Sequence, residues 1–349
     1  MRLLMPFWNL NLLHRYRPQL EALAAYLDEF HIIYLEGEPE GSYADFHRLR
    51  FRRYPASKFL NWSLNLPRAW RQVRNIDIDA YYCLSGFWFE IYSHYFSKRS
   101  GRPYAVRLRG DQVRVTELLV KNRLKRWVKN NLYRGTLLEA DLVIPISEKL
   151  RLKAIKLGVS PSKLTQPIPN GVDTDLFKPE KFPSELTVGY AGRISREKGS
   201  IFLTALMEKT PDIKYLVAGP IEDSAFKPPK NCEYLGVLPY EKMPEFYNRC
   251  SLIVLPSYTE GFPNVLLEAY ACGRPLMASP ICFPDPEARS LSIPLKLDVR
   301  LWVSNLEWLR GHYEDMVDVD ISERRRWAEK YSWPEFGRRI VEALRRLIR

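Results

Sequence analysis

Short apolar runs recur along the chain, and the stretches between them return an apolar residue every three to four positions. The runs are RLLMPF, HIIYL, DAYYCL, YAVRL and DLVIPIS in the first half, then LTVGYAG, IKYLVAG, SLIVLPS and RPLMAS. Runs this brief and continuous suit strands buried on both faces. Helical spacing occupies Pro18–Glu29, Ser147–Leu157 and Met243–Cys250, and the segments SIFLTALMEK and NVLLEAYAC. Strands alternating with helices predict an α/β fold, in which parallel strands are joined by crossover helices. The richest breaker segment is QPIPNGVDTDLFKPEKFP, Gln166 to Pro183. It predicts domains at 1–165 and 184–330 around a 166–183 linker, followed by a terminal segment 331–349 with a helix near Trp333–Leu347.

Composition agrees with two globular domains. The chain has 349 residues, 46% of them hydrophobic and 13% aromatic, enough to fill two cores and contrary to disorder. No apolar run approaches the roughly 18–20 residues that span a bilayer. The opening MRLLMPFWNLNLL is broken by Pro6, Asn9 and Asn11, so it reads as a first buried strand and not as a signal peptide. The five cysteines, Cys83, Cys232, Cys250, Cys272 and Cys282, form no C-x-x-C pair, and their odd number argues against a disulfide framework or zinc site. Reduced cysteines in a cytoplasmic protein are expected.

Charge changes the picture more. The net charge is +12, but Arg48–Arg74 alone carries +8 and Arg99–Arg134 carries +9, leaving the remainder at −5. The basic character is local to the first half.

Two stretches carry candidate chemistry. EGFPNVLLEAYACGRP, from Glu260 to Pro275, follows the strand SLIVLPS and reads as a tight loop and a helix stopped by Gly-Arg-Pro. Ligands of open parallel sheets bind at the carboxyl ends of the strands, and a helix N-terminus there suits a phosphate. Glu260 falls in the loop and Glu268 about one turn inside the helix, where carboxylates can accept hydrogen bonds from hydroxyls flanking a diphosphate; a solvent-facing Glu268 fits the spacing equally well. YAGRISREKG, Tyr190 to Gly199, offers Gly192 for close backbone approach and Arg193 and Lys198 as two cations with no obvious carboxylate partner. It is neither a P-loop nor a dinucleotide fingerprint.

Together with ISEKLRLKAIKLGV, IPNGVDTDLF, VAGP, MPEFYNRCSLIVLPS and YSWPEFGRRIVEAL, these stretches resemble the retaining family-four glycosyltransferases from about Asp141 onward. The resemblance implies the GT-B architecture, two facing Rossmann-like domains with an interdomain cleft. It implies that Arg193 and Lys198 hold the diphosphate of a nucleotide sugar, Glu260 the donor sugar and Glu268 the nucleotide ribose. Backbone around Gly261, Phe262 and Val265 would complete those contacts, and the pocket near Gly219, Gly236 and Phe262 would choose the donor. It implies no cofactor beyond the nucleotide-sugar substrate and no enzyme nucleophile, because the leaving phosphate takes the acceptor proton. The triplets Asp77-Ile78-Asp79, Asp173-Thr174-Asp175 and Asp318-Val319-Asp320 stand apart from the phosphate elements, so no catalytic metal is expected.

The first half departs from the family pattern. No glycine precedes Gly37, where relatives carry glycines after the first strand, and YAVRLRGDQVRV offers Arg107, Arg109, Gly110 and Asp111 where many have a histidine. Asp111 could orient or deprotonate an acceptor hydroxyl; an Asp paired with neighbouring arginines is the competing reading. VTELLVKNRLKRWVKNNL sets Val120, Leu124, Trp127, Val128 and Leu132 at helical spacing among Lys121, Arg123, Lys125, Arg126 and Lys129. Such a stretch is a membrane-surface signature, which points to an anionic membrane and a lipid-linked or other saccharide acceptor; a core-facing helix with a charged outer face fits as well. Two rivals stand beside transfer: a relative that hydrolyses or epimerises its nucleotide sugar, and a nucleic-acid binder. The second leaves the Glu/Arg/Lys constellation unexplained, and no nucleic-acid module is visible.

Overall fold

The computed structural model describes residues 1–7, 9–10, 16–39, 41–51, 62–84, 87–313 and 320–348. Its contacts divide the chain into two units, one of residues 1–169 with 334–349, the other of residues 170–333.

The first unit is built on six parallel strands, β1 (Arg2–Pro6), β2 (Glu29–Tyr34), β3 (Asp45–Arg48), β4 (Ala80–Leu84), β5 (Tyr104–Leu108) and β6 (Leu142–Pro145), in the order β3-β2-β1-β4-β5-β6. Every residue of β4, β5 and β6 is buried, as continuous apolar runs require. The helix predicted over Pro18–Glu29 is shorter, Arg17–Ala24, because Glu29 already opens β2 opposite Arg2. The final helix, Trp333–Arg345, packs on this sheet's helices. A Cβ at Gly337 would lie 1.9 Å from the Ala22 carbonyl oxygen, so only glycine permits that approach. Arg107, fully buried in β5, lies over the Phe336 ring at 4.6 Å.

The second unit repeats the plan with β7 (Thr187–Ala191), β8 (Lys214–Ala218), β9 (Cys232–Tyr234), β10 (Leu252–Leu255), β11 (Leu276–Ala278) and β12 (Ile293–Pro294), in the order β12-β11-β10-β7-β8-β9 and all parallel. Trp302 of the helix Val299–Gly311 meets Phe202 edge-on at 4.9 Å in its core, and a fully buried side chain of this size stabilises by about 2–3 kcal/mol. The breaker-rich stretch joins this unit from Asn170 on. Buried Arg274 donates to the Glu180 carbonyl at 2.8 Å and lies 3.8 Å from the Phe182 ring centre, while Arg325 donates to the Thr174 and Phe177 carbonyls, both at 2.9 Å. Those carbonyls leave the segment little freedom as a linker.

Candidate active site

In the second sheet the strand order reverses between β7 and β10, which pair directly through Leu252–Val188 and Ile253–Gly189. Their outgoing loops therefore open a crevice at the carboxyl ends, the usual ligand position of such sheets. Gly192–Gly199 leaves β7 there, and Pro256–Pro263 leaves β10 and enters the helix Asn264–Ala271. The sequence thus delivers Arg193, Lys198, Glu260 and Glu268 to one end of two adjacent strands. Gly192 has φ +141°, and a Cβ on it would meet only the Tyr190 hydroxyl at 3.9 Å; Gly219, at the end of β8, has φ +135°, and a Cβ on it would stand 1.9 Å from the Gly192 carbonyl oxygen. Both ends are held by backbone bonds, Gly192 N–H to Ala218 O at 2.9 Å and Gly219 N–H to Gly236 O at 2.7 Å.

The cations are not without carboxylate partners, contrary to the sequence expectation. Lys198 Nζ lies 2.6 Å from Glu260 Oε1, which also accepts from Ser257 Oγ at 2.7 Å. The Lys198 and Glu260 side chains are only 22% and 8% exposed, so this pair is shielded from solvent. Arg193 pairs with Glu197 through one nitrogen and with Glu222 through another at 2.8 Å. Burial disfavours the Arg193 charge, but Glu197 and Glu222 outweigh it and hold its pKa above the ordinary value. Glu197 stands four residues after Arg193 and was legible in the sequence; Glu222 comes from the loop after β8, which no spacing rule connects to Arg193. Two cations among three carboxylates make a pre-ordered network and not a positive trap.

The helix Asn264–Ala271 has Pro263 at its N-cap and no side-chain capping bond, leaving its first amides directed at the loop. Gly261 and Val265 are partly exposed beside them, while Phe262 is buried against Tyr331 with ring centres 5.6 Å apart. Asn170 donates to the Asn264 side-chain oxygen at 2.7 Å, fixing that residue.

Glu268 is partly exposed, and its carboxyl is hydrogen-bonded to Tyr247. Burial pushes its carboxyl up to about 7, against the pull of a 2.7 Å hydrogen bond donated by Tyr247. Tyr247 is fully buried, and burial together with Glu268 raises its own pKa, so it remains a donor. Nothing in the sequence ties Tyr247 to Glu268, which lie in successive helices with β10 between them.

In the first unit Asp111 follows β5 and its Oδ2 lies 2.8 Å from Lys153 Nζ. That lysine belongs to the helix Glu148–Lys156. Arg109 reaches the Tyr16 hydroxyl at 3.3 Å and lies over that ring. Asp77 and Asp79 are both tied to Arg2, and Asp173 accepts the amides of Asp175 and Leu176, so these triplets have structural duties. Asp318 and Val319 lie outside the described residues, as does much of the first basic segment, residues 52–61. Among the described residues no group of three or more His, Cys, Asp and Glu could hold a metal ion, and no helix is long and apolar enough to cross a membrane.

The family model described as glycosyl transferases group 1 matches residues 172–289, and that for glycosyltransferase family 4 matches residues 19–176. The chain is 32% identical over 167 residues to a D-inositol 3-phosphate glycosyltransferase of Mycobacterium sp. (strain KMS), covering 41% of this chain and 38% of that one. It is 30% identical over 151 residues to an alpha-galactosylglucosyldiacylglycerol synthase of Streptococcus pneumoniae, covering 35% and 39%. These matches thus span less than two fifths of the relatives' length. Over 99% of both chains the fold matches sucrose-phosphate synthase of Thermosynechococcus elongatus, with a TM-score of 0.80 at 18% identity. With two switch-point sheets, the loop-borne Arg, Lys and Glu set, and adjoining family matches from residue 19 to 289, the chain belongs to the family-four glycosyltransferases of GT-B fold.

Proposed function

We propose that the protein is a retaining, metal-independent glycosyltransferase that moves a sugar from a nucleotide-diphosphate donor to a hydroxyl of a lipid-linked or other saccharide acceptor. The observation that carries this is the convergence of Arg193, Lys198, Glu260 and the Asn264 helix N-terminus at the carboxyl ends of β7 and β10, with Glu268 in the same helix. The diphosphate enters over Gly192, draws Arg193 and Lys198 from their carboxylates and adds the helix amides. Glu260, released from Lys198, accepts the donor sugar's hydroxyls, and Glu268 accepts those of the ribose. Gly261, Phe262 and Val265 line this path.

In the transfer the bond from the anomeric carbon to the diphosphate breaks and a glycosidic bond to the acceptor oxygen forms. The acceptor proton passes to the leaving phosphate oxygen, so no enzyme nucleophile is required. Preorganised cations that meet the developing negative charge supply the main stabilisation. Asp111, fixed by Lys153, is assigned to orient the acceptor hydroxyl. No resident cofactor enters the scheme.

The exposed basic helix Arg123–Glu139 supports work at an anionic membrane surface on the cytoplasmic side, where each nearby cation contributes about 1 kcal/mol. The relative named for a galactosylglucosyldiacylglycerol supports a lipid-linked acceptor. Steady-state transfer separates the roles of the two carboxylates. Glu268→Ala is expected to raise KM for the donor about tenfold or more with kcat little changed, and Glu260→Ala to lower kcat. Wild-type constants in both variants would overturn the assignment.

A further inference from the structure

The loops that follow β7 and β10 are registered against each other by their backbones. The Tyr258 amide donates to the Glu197 carbonyl at 2.9 Å. Gly199, at φ +84°, lies against Pro256, where a Cβ would stand 2.2 Å from the Pro256 carbonyl oxygen. Lys198 stands between Glu197 and Gly199 in one loop, and Ser257 between Pro256 and Tyr258 in the other. Their side chains converge on a single carboxylate oxygen: Glu260 Oε1 accepts from Lys198 Nζ at 2.6 Å and from Ser257 Oγ at 2.7 Å. A third strand end braces the hydroxyl. Ser279, which follows β11, donates from its Oγ to the Ser257 carbonyl at 2.7 Å, and both serines are buried.

The two donors differ in what holds them. Lys198 reaches Glu260 through a flexible four-carbon stem, and its ammonium is the group that a diphosphate attracts. Ser257 reaches it through a single rotatable bond, from buried backbone that the Ser279 and Tyr258 hydrogen bonds fix. A hydroxyl donating to a carboxylate at this distance makes a charge-assisted bond, about twice as strong as a neutral one. When the diphosphate takes Lys198, the Ser257 hydroxyl is the donor that stays. A carboxylate held by it meets the sugar hydroxyls with its rotamer already fixed, so less ordering remains to be done at the moment of transfer.

We propose that Ser257 is a positioning residue of the donor site, which keeps Glu260 in place for the donor sugar once Lys198 has gone to the diphosphate. The inference rests on the role proposed above for Glu260 in sugar transfer and adds the residue that sets its geometry. Ser257 acts through Glu260 and touches neither the sugar nor the phosphates. Its contribution therefore falls on kcat, the constant assigned to Glu260, and exists only while Glu260 is present.

Steady-state transfer by the full chain tests this with Ser257→Ala, Ser257→Cys, Glu260→Ala and the double variant Ser257→Ala with Glu260→Ala. Ser257→Ala is expected to lower kcat about tenfold or more while the donor KM moves less than about twofold. In the Glu260→Ala background the same substitution should change kcat less than about twofold, because the group it positions is gone. Thermal melting checks that each variant folds. Ser257→Cys, whose thiol is a weaker donor, should show the same fall to a smaller extent, and it carries the test if Ser257→Ala does not fold. A wild-type kcat in the Ser257 variants overturns the proposal. So does an equal loss of kcat with and without Glu260, or a donor KM that rises while kcat holds. Calorimetric donor binding and donor turnover are measured on the wild type alongside. A wild type that neither binds nor turns over any nucleotide sugar refutes the glycosyl-transfer reading, and the role of Ser257 falls with it, whereas wild-type turnover untouched by Ser257→Ala refutes that role alone.

Discussion

At the scale of single residues, Glu268 is the group whose behaviour is most constrained. An unburied glutamate titrates near 4.5, and burial places this one at about 7. Between those values the folded state holds a proton that the unfolded chain has released, so this group's effect is to lower stability as pH rises through that window and to leave it level above. Glu268→Gln keeps an acceptor for Tyr247 and removes the ionisation. In urea unfolding it should exceed the wild type by about 2–3 kcal/mol above pH 7, with the difference vanishing toward pH 4.5; a constant difference at all pH values would refute the assignment. If Glu268 accepts the ribose hydroxyls as proposed, donor affinity should rise with pH through about 7, because the ionised carboxylate is the stronger acceptor. Tyr247→Phe removes the bond that pulls the Glu268 pKa down and should shift that rise to higher pH. Much of this candidate site was legible: Gly192, Arg193, Lys198, Glu260 and Glu268 were named from their places on strand-end loops and a helix and from the order of the motifs, and the structure brings those loops together at β7 and β10. Their partners Glu222 and Tyr247 were not legible, because each reaches the site through tertiary packing that no spacing encodes, whereas Ser257 stands only three residues before Glu260.

At the scale of elements, the buried strands declared themselves by continuous apolar runs, whereas β3 (DFHR), β9 (CEY) and β12 (IP) did not. All three are short and sit at or next to a sheet edge with half-exposed or polar residues, where burial imposes no pattern. The stripe from Leu124 to Leu132 left core and surface open, since helical periodicity marks an apolar face without naming what covers it. Two glycines in helices give opposite expectations. Gly337→Ala drives a methyl into the Ala22 carbonyl and should cost about 1–3 kcal/mol or more. Gly135→Ala meets open space in a helix interior and should gain up to about 1 kcal/mol. Chemical denaturation of both variants checks the pair, and loss of stability in both would contradict the packing described for the Gly135 helix.

At the scale of the whole molecule, the two switch-point sheets were readable as an alternation of strands and helices, and the family from the ordered set of motifs in the second half. The acceptor was not readable, because the first half lacks the glycines of its relatives and carries its charge on a solvent-facing helix. The central claim is that the β7 and β10 loops form a nucleotide-sugar site that works through protein cations. Calorimetric titration of a nucleotide-sugar panel, with and without chelator, on the wild type and Lys198→Ala tests it most directly. One donor should bind the wild type in the micromolar-to-millimolar range, indifferent to chelator, and bind Lys198→Ala at least about tenfold more weakly. Binding that needs a divalent metal, survives Lys198→Ala unchanged, or is absent for every donor would contradict it.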